Sequence, residues 1–277
     1  MTTDRTLGTV PVHDQIADDL RAQIAAGDLK PGEALPSVRK LQDQWHCSDR
    51  TVREALGVLL GEGRITAGRG APAKVRVPPE RRIAISLTAE SAQTQKDLAL
   101  RPESERASTG AAELSLGVPI SETDFNAEYE RVSADEDLAK EFGLEVGTEL
   151  LKRTYSTVSR ETGHLVLSSI SYVPVSIIEG NRELFDSGNE PWPGGHWHQL
   201  HTVNVEIDRL DNSLVAIQPT TRQRQDWGID PGVALLCLRS RSVDTLGRIV
   251  EIADSTYPAD RTAVRYTQQL RRWGDST

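Results

Sequence analysis

Residues 35–56 read LPSVRKLQDQWHCSDRTVREAL, and the way this stretch is parsed decides the fold. It holds two short helical patterns separated by an abrupt break. Pro36 and Ser37 form a helix start with Ser37 as N-cap. Val38, Leu41 and Trp45 then fall on one stripe. After the break HCS, Ser48 caps a second helix whose apolar side carries Val52, Ala55, Leu56, Leu59 and Leu60. Arg50, Thr51, Arg53 and Glu54 must face outward, with the two arginines one turn apart, and Gly61 and Gly63 stop the helix.

Upstream, Ile16, Ala17, Leu20 and Ile24 give another helical stripe, ended by Gly27 and a KPGE turn. Downstream, 64–67 and 73–77 read as two short strands joined by a Gly-rich tip. Three helices and a two-stranded wing make a winged helix-turn-helix. A helix fits the major groove of B-DNA, and its N-terminal residues meet base edges. Arginine can bond guanine bidentately, and threonine can touch a base or a phosphate. At the tip, Gly68 and Gly70 let the backbone approach closely while Arg69 offers charge. Alone, Arg50 and Arg53 would read as an ordinary solvated helix face. Asp49 repels phosphate, so it either caps the helix or accepts from a cytosine amine. Trp45 and Cys47 read as core.

The segments LPSVRKL, SDRTVREAL, LLGEGRI and GRG, in this order and spacing, resemble the DNA-binding domain of GntR-type bacterial regulators. The resemblance covers about the first eighty residues. It implies DNA contact by Arg39, by Asp49, Arg50, Thr51 and Arg53 at the start of the recognition helix, and by Gly70 at the wing tip; Ser48 and Arg69 complete the expected set. Two features depart from the family pattern. His46 stands where a turn glycine is common, and the wing after Gly70 reads APAK.

The chain has 277 residues, enough for two domains, and a net charge of −9. Up to position 79, eleven basic residues face ten acidic ones, so the remainder carries −10. Overall acidity argues against a nonspecific nucleic-acid binder. No apolar run approaches the roughly 18 residues a bilayer span needs, and the N-terminus shows no signal peptide. Cys47 and Cys237 are the only cysteines and are far apart, which fits a reducing cytoplasm without disulfides. The expected organisation is a winged helix-turn-helix over 1–79, a linker over 80–120, and a sensor and dimerisation domain over 121–272. The linker is polar, with a helix expected over 89–100 and partial disorder around ESERASTG (103–110).

The second half contains a repeat. FGLEVGTELLKRTY (142–155) echoes WGIDPGVALLCLRS (227–240) at an offset of 85 residues. Each copy reads as short helix, Gly-bounded turn, strand, hairpin and strand, with hairpins at RETG and DTLG. Two such halves can pair into one antiparallel sheet with helices on one face, an α+β domain. This repeat, with SSISYVP, WPGG and GRIVEIADSTYPADRT, resembles the UTRA ligand-sensing domain of the HutC branch of GntR regulators. That fold is shared with chorismate lyase.

The resemblance implies a small effector held between the two halves, contacted by Arg153, Ser169, Glu251 and Tyr257, with Tyr155 on the same strand as a further candidate. Arg153 with Glu251 suits a ligand bearing both an anionic group and a hydroxyl or amine; the alternative is an internal ion pair. The histidines of PGGHWHQLH (193–201) have metal-like spacings, but no fixed acid or Cys completes a shell, so no metal and no cofactor is expected. Trp192 and Trp197 read as pocket lid or dimer contacts. Asp124, Glu128 and Glu130 alternate along a strand and read as solvated. The resemblance implies a cytoplasmic transcriptional repressor that binds a palindromic operator as a homodimer and is released by a small molecule. Two further readings are a ligand-independent repressor whose second domain only dimerises and, more remotely, a lyase-like enzyme.

Overall fold

The structure is a computed structural model that describes residues 10–66, 72–77, 79, 83–108 and 122–270. The chain divides into two compact units. One comprises the chain up to Glu80 with two short later segments, 218–224 and 229–233; the other holds the rest.

The first unit contains α1 (Val12–Ala26), α2 (Val38–Trp45), α3 (Asp49–Gly61) and the strands β1 (Ile65–Thr66) and β2 (Lys74–Val75). The apolar stripes meet in one core of Ile16, Leu20, Leu41, Val52, Leu59 and Ile65, each at most 1 % exposed. Burial of such a side chain stabilises by roughly 1.5–3 kcal/mol. Trp45, Cys47, Leu56 and Leu60 pack half-buried around it. The break between α2 and α3 turns at His46, whose φ of 49° is left-handed. That is why a glycine is common there. β1 and β2 pair antiparallel. The wing tip, with Arg69 and Gly70, lies outside the described residues.

The second unit begins with β3 (Ile83–Ser86), α4 (Ala89–Leu98) and α5 (Glu103–Ser108). Next come β4 (Thr123–Ser133), α6 (Glu136–Phe142), β5 (Glu149–Ser159) and β6 (Leu165–Pro174). The short helix α7 (Val175–Ile178) and α8 (Gly195–His201) precede β7 (Ile207–Ile217). The helix α9 (Thr221–Asp226) starts within the segment 218–224 of the first unit, and β8 (Leu235–Asp244), β9 (Ile249–Pro258) and β10 (Thr262–Arg265) complete the second. The sequence repeat becomes two antiparallel meanders, β4-β5-β6 and β7-β8-β9. They join through β6 and β9 into a six-stranded sheet ordered β4-β5-β6-β9-β8-β7, with Ser169 opposite Ser255 at the junction.

Two expectations are corrected. Helices cover both faces of the sheet, not one. Alternation puts Leu151 and Val173 under α8, and Leu150 and Ile252 under α6. The stretch 80–120 is also more than a linker. Within it, β3 pairs in parallel with β10 and so belongs to the second unit. The four residues IAIS carry no local sign of a parallel partner so distant in sequence. The helix expected over 89–100 is α4, capped by Thr88 Oγ1 on the Ser91 amide at 3.1 Å. Residues 103–108 of the stretch read as partly disordered form α5.

Candidate DNA-reading helix and effector cavity

α3 starts with Ser48, whose Oγ accepts from the Thr51 amide at 3.2 Å and meets Thr51 Oγ1 at 2.8 Å. This satisfies one of the unpaired amides of the first turn. Core packing fixes the opposite face, so the side chains of Arg50 and Arg53 are 87 % and 68 % exposed. Each is held by a carboxylate one turn away. Arg50 Nε donates to Glu54 at 2.9 Å, and Arg53 Nε donates to Asp49 at 2.5 Å. Asp49 therefore spends its charge on Arg53. Such exposed i,i+4 pairs are weak, and a phosphate or a guanine edge can replace the carboxylate without unfolding the helix. Arg39 is exposed on α2.

In the second unit, Arg153 on β5 and Glu251 on β9 lie on the same sheet face, 3 % and 6 % exposed. They pair directly, Arg153 Nη2 donating to Glu251 Oε1 at 2.5 Å. Arg153 Nε donates to Ser171 at 3.0 Å and Nη1 to Gln199 at 2.6 Å. His196 on α8 bridges the pair. Its Nδ1 is 3.2 Å from Arg153 Nη2 and its Nε2 is 2.7 Å from Glu251 Oε2. Burial alone would push the Glu251 carboxyl up. His196 and Arg153 overcome it and hold the carboxyl at about 2.

The network continues outward. Gln199 Nε2 donates to Glu190 at 2.9 Å, Tyr129 donates to the same carboxylate, and Tyr155 reaches it at 3.2 Å. Burial pushes the Tyr129 phenol up to about 12 and the Tyr155 phenol well above its usual value, so both remain neutral donors. Arg153 and Glu251 are thus an internal ion pair, one of the two readings open from sequence. Ser169 is opposite Tyr155 and bonds Ser255 Oγ at 3.0 Å.

Tyr257 lies apart from this network. It is buried beside Leu238 and lines a cavity of about 620 Å³. α4 and the residues before it form one wall. The start of β7, Leu238 and Ser240 of β8, and Trp197 of α8 form the others. Of the five expected effector residues, Arg153, Tyr155 and Glu251 enter the network, Ser169 adjoins it, and only Tyr257 lines the cavity. Tyr129, Glu190, His196 and Gln199 were not expected in such roles. Tyr129 had a signal: the alternation that turns Asp124, Glu128 and Glu130 outward turns Tyr129 inward. His196 and Gln199 had none, because contacts from one short helix to a distant sheet leave no periodic trace.

The histidines do not share a common partner. His196 meets Glu251, and His198 Nδ1 accepts from Trp192 Nε1 at 2.8 Å. Burial, with help from Arg106 and His201, pushes His198 down to about 4. Among the described residues, no three His, Cys, Asp or Glu side chains converge on a metal position. No helix among them is long and apolar enough to cross a membrane.

A winged helix-turn-helix followed along the chain by an antiparallel sensor domain defines a DNA-binding transcriptional regulator. Known families agree. The profile of bacterial regulatory proteins of the gntR family matches residues 12–75, and that of the UTRA domain matches 126–263. The chain belongs to the GntR family, with the domain combination of its HutC branch.

An HTH-type regulator of Streptomyces coelicolor is 27 % identical over 259 residues, covering 92 % of each chain. The HTH-type transcriptional repressor NagR of Bacillus subtilis is 25 % identical over 263 residues, covering 94 % of this chain and 96 % of NagR. A crystal structure described as a GntR-family regulator superimposes with a TM-score of 0.69 at 23 % identity, over 94 % of this chain and 98 % of the other, which supports the shared fold. The family and these relatives are transcriptional regulators rather than enzymes.

Proposed function

We propose that this chain is a cytoplasmic repressor that binds a palindromic operator as a homodimer and is released when its UTRA domain takes up a small molecule. The observation that carries the reading is the exposed start of α3. There Arg50 and Arg53 face solvent, with Thr51 half-buried beside them, from a helix whose other side is locked into the core. One head reaches one half-site, so two heads about a helical turn apart double the readout. The relatives NagR and the PhnF of Mycolicibacterium smegmatis are named as repressors, which supports repression here. The proposed division of labour is a head over 1–79 and a sensor and dimerisation domain over 121–272, to which the stretch from β3 to α5 belongs.

We place the effector in the cavity beside α4 that Tyr257 lines, a cleft in the sensor unit that brings polar groups together. Binding there releases DNA if the occupied sensor favours an arrangement in which the two heads no longer match the half-site spacing. One observation favours the ligand-independent reading: Arg153 and Glu251 neutralise each other.

Two measurements test the proposal. Electrophoretic titration and footprinting on the gene's own upstream DNA should show two protected half-sites; protection of one half-site only counts against dimeric binding. Light scattering should give twice the chain mass of 30.5 kDa.

A further inference from the structure

We infer that the cavity beside α4 takes an uncharged, hydroxyl-rich ligand, about one or two sugar rings in size, stacked on Trp197. The inference rests on the cavity being the effector site. Its volume of about 620 Å³ lies inside the range of roughly 300–1,000 Å³ that holds metabolite-sized ligands. The lining mixes apolar side chains with neutral hydrogen-bonding groups, among them Thr88, Ser91, Gln95, Asn212 and Tyr266. Asn212 Oδ1 accepts from Ser240 Oγ at 2.7 Å, which orients the amide and leaves its nitrogen as the donor for a ligand. Trp197 supplies a flat apolar surface. A sugar ring matches that pattern, with an apolar C–H face for the indole and hydroxyls around its edge.

An anionic ligand does not match. Among the described residues, the cations that line the cavity already have carboxylate partners. Lys96 Nζ donates to Glu206 at 2.7 Å, and Arg209 Nε lies 3.3 Å from Asp211. A phosphate or carboxylate would have to displace those partners and would also meet Asp208 in the wall. The first turn of α4 is capped by Thr88, so one of its amides is already occupied. Arg153, the buried arginine of this domain, is engaged by Ser171, Gln199 and Glu251 and does not line the cavity. An anion would thus have to compete with those carboxylates for its cations, whereas a neutral polyol exchanges water for the same number of hydrogen bonds.

The test is calorimetric titration and thermal shift on the full chain with glucose, N-acetylglucosamine, cellobiose and maltose, and with glucose 6-phosphate and gluconate as charged counterparts. At least one neutral sugar should bind, with Kd unchanged within about twofold between roughly 50 and 500 mM salt. The charged counterparts should bind at least about tenfold more weakly. Trp197→Ala should weaken the neutral sugar about tenfold or more, and Asn212→Ala, at an exposed strand position, should weaken it measurably. Trp197→Phe, which keeps a stacking ring, should restore most of the affinity.

A charged sugar that binds more tightly than its neutral parent, loses affinity with salt and still depends on Trp197 would overturn the ligand class while leaving the site in place. A neutral sugar that binds wild type, Trp197→Ala and Asn212→Ala alike would overturn the site itself. A panel in which no neutral sugar binds also overturns the inference.

Discussion

Arg153 and Glu251 hold opposite charges in a place where neither charge could stand alone. Desolvation would disfavour both, and the pair persists because Ser171, Gln199 and His196 complete the shell. Removing one partner leaves the other buried and unpaired, so Glu251→Gln should cost about 3–5 kcal/mol in chemical denaturation of the sensor unit. The pH dependence gives an independent reading. The Glu251 carboxyl is depressed in the folded state to about 2, from an unfolded value near 4.3. Its stabilisation is therefore complete above about pH 4.3 and is lost as pH falls from there through about 2, for a total of roughly 3 kcal/mol. A Glu251→Gln protein should lack that acid limb; if wild type and variant lose stability in parallel over this window, the pair does not carry the charge balance assigned to it. At the other unit, Arg50 and Arg53 are bound only by exposed carboxylates and lie off the apolar stripe. Arg50→Ala and Arg53→Ala should leave the melting temperature nearly unchanged, since alanine and arginine have similar helix propensities. A base-reading arginine should lose roughly 10- to 100-fold of discrimination between operator and scrambled DNA. Equal operator binding by both variants and wild type would mean that α3 does not read DNA.

The joint between α2 and α3 shows how an element boundary is set by one residue. His46 sits at φ 49°, where a side chain costs energy and glycine does not. His46→Gly should stabilise the head by up to about 1 kcal/mol and His46→Val should destabilise it by about 1–2 kcal/mol, as measured by urea denaturation. A glycine variant that unfolds more easily than wild type would show that the imidazole does something besides fill the position. The break was visible in the sequence because Trp45 ended one stripe and Ser48 opened the next. The three head helices were legible for the same reason, since each buries one face against the others. The repeat made the six-stranded sheet legible too, because β-branched pairs such as Val250 and Ile252 recur between Gly-bounded turns. What was not legible depends on contacts between distant residues. β3 finds β10 across most of the chain, and Gln199 and His196 reach Arg153 and Glu251 from a helix whose sequence suggested only a lid. The cavity was missed in the same way: Thr88 and Lys96 sit in a stretch whose composition reads as linker, and only its packing beside β7 and β8 gives those side chains a common space.

At the scale of the whole molecule, the decisive quantity is how many heads meet the DNA at once. The chain carries −9 overall, while the residues up to position 79 are close to neutral, with the exposed Arg39 on α2 and Arg50 and Arg53 on α3. Long-range attraction to the polyanion is therefore small, and affinity must come from a few short contacts made together. Each phosphate neutralised by a side chain adds about 0.9 to the slope of log K against log salt. A substitution that removes one phosphate contact per chain lowers the slope by roughly 1 when a single head binds. When two symmetry-related heads bind, the same substitution removes two contacts and lowers it by roughly 2. Operator affinity should therefore be measured across a salt series for wild type, Arg39→Ala and Arg53→Ala. A homodimer on a palindromic operator predicts a drop near 2 for whichever arginine holds a phosphate, with the loss shared by scrambled DNA. A drop near 1 would mean that the heads read DNA singly, and the two-headed mechanism of release would then have nothing to act on.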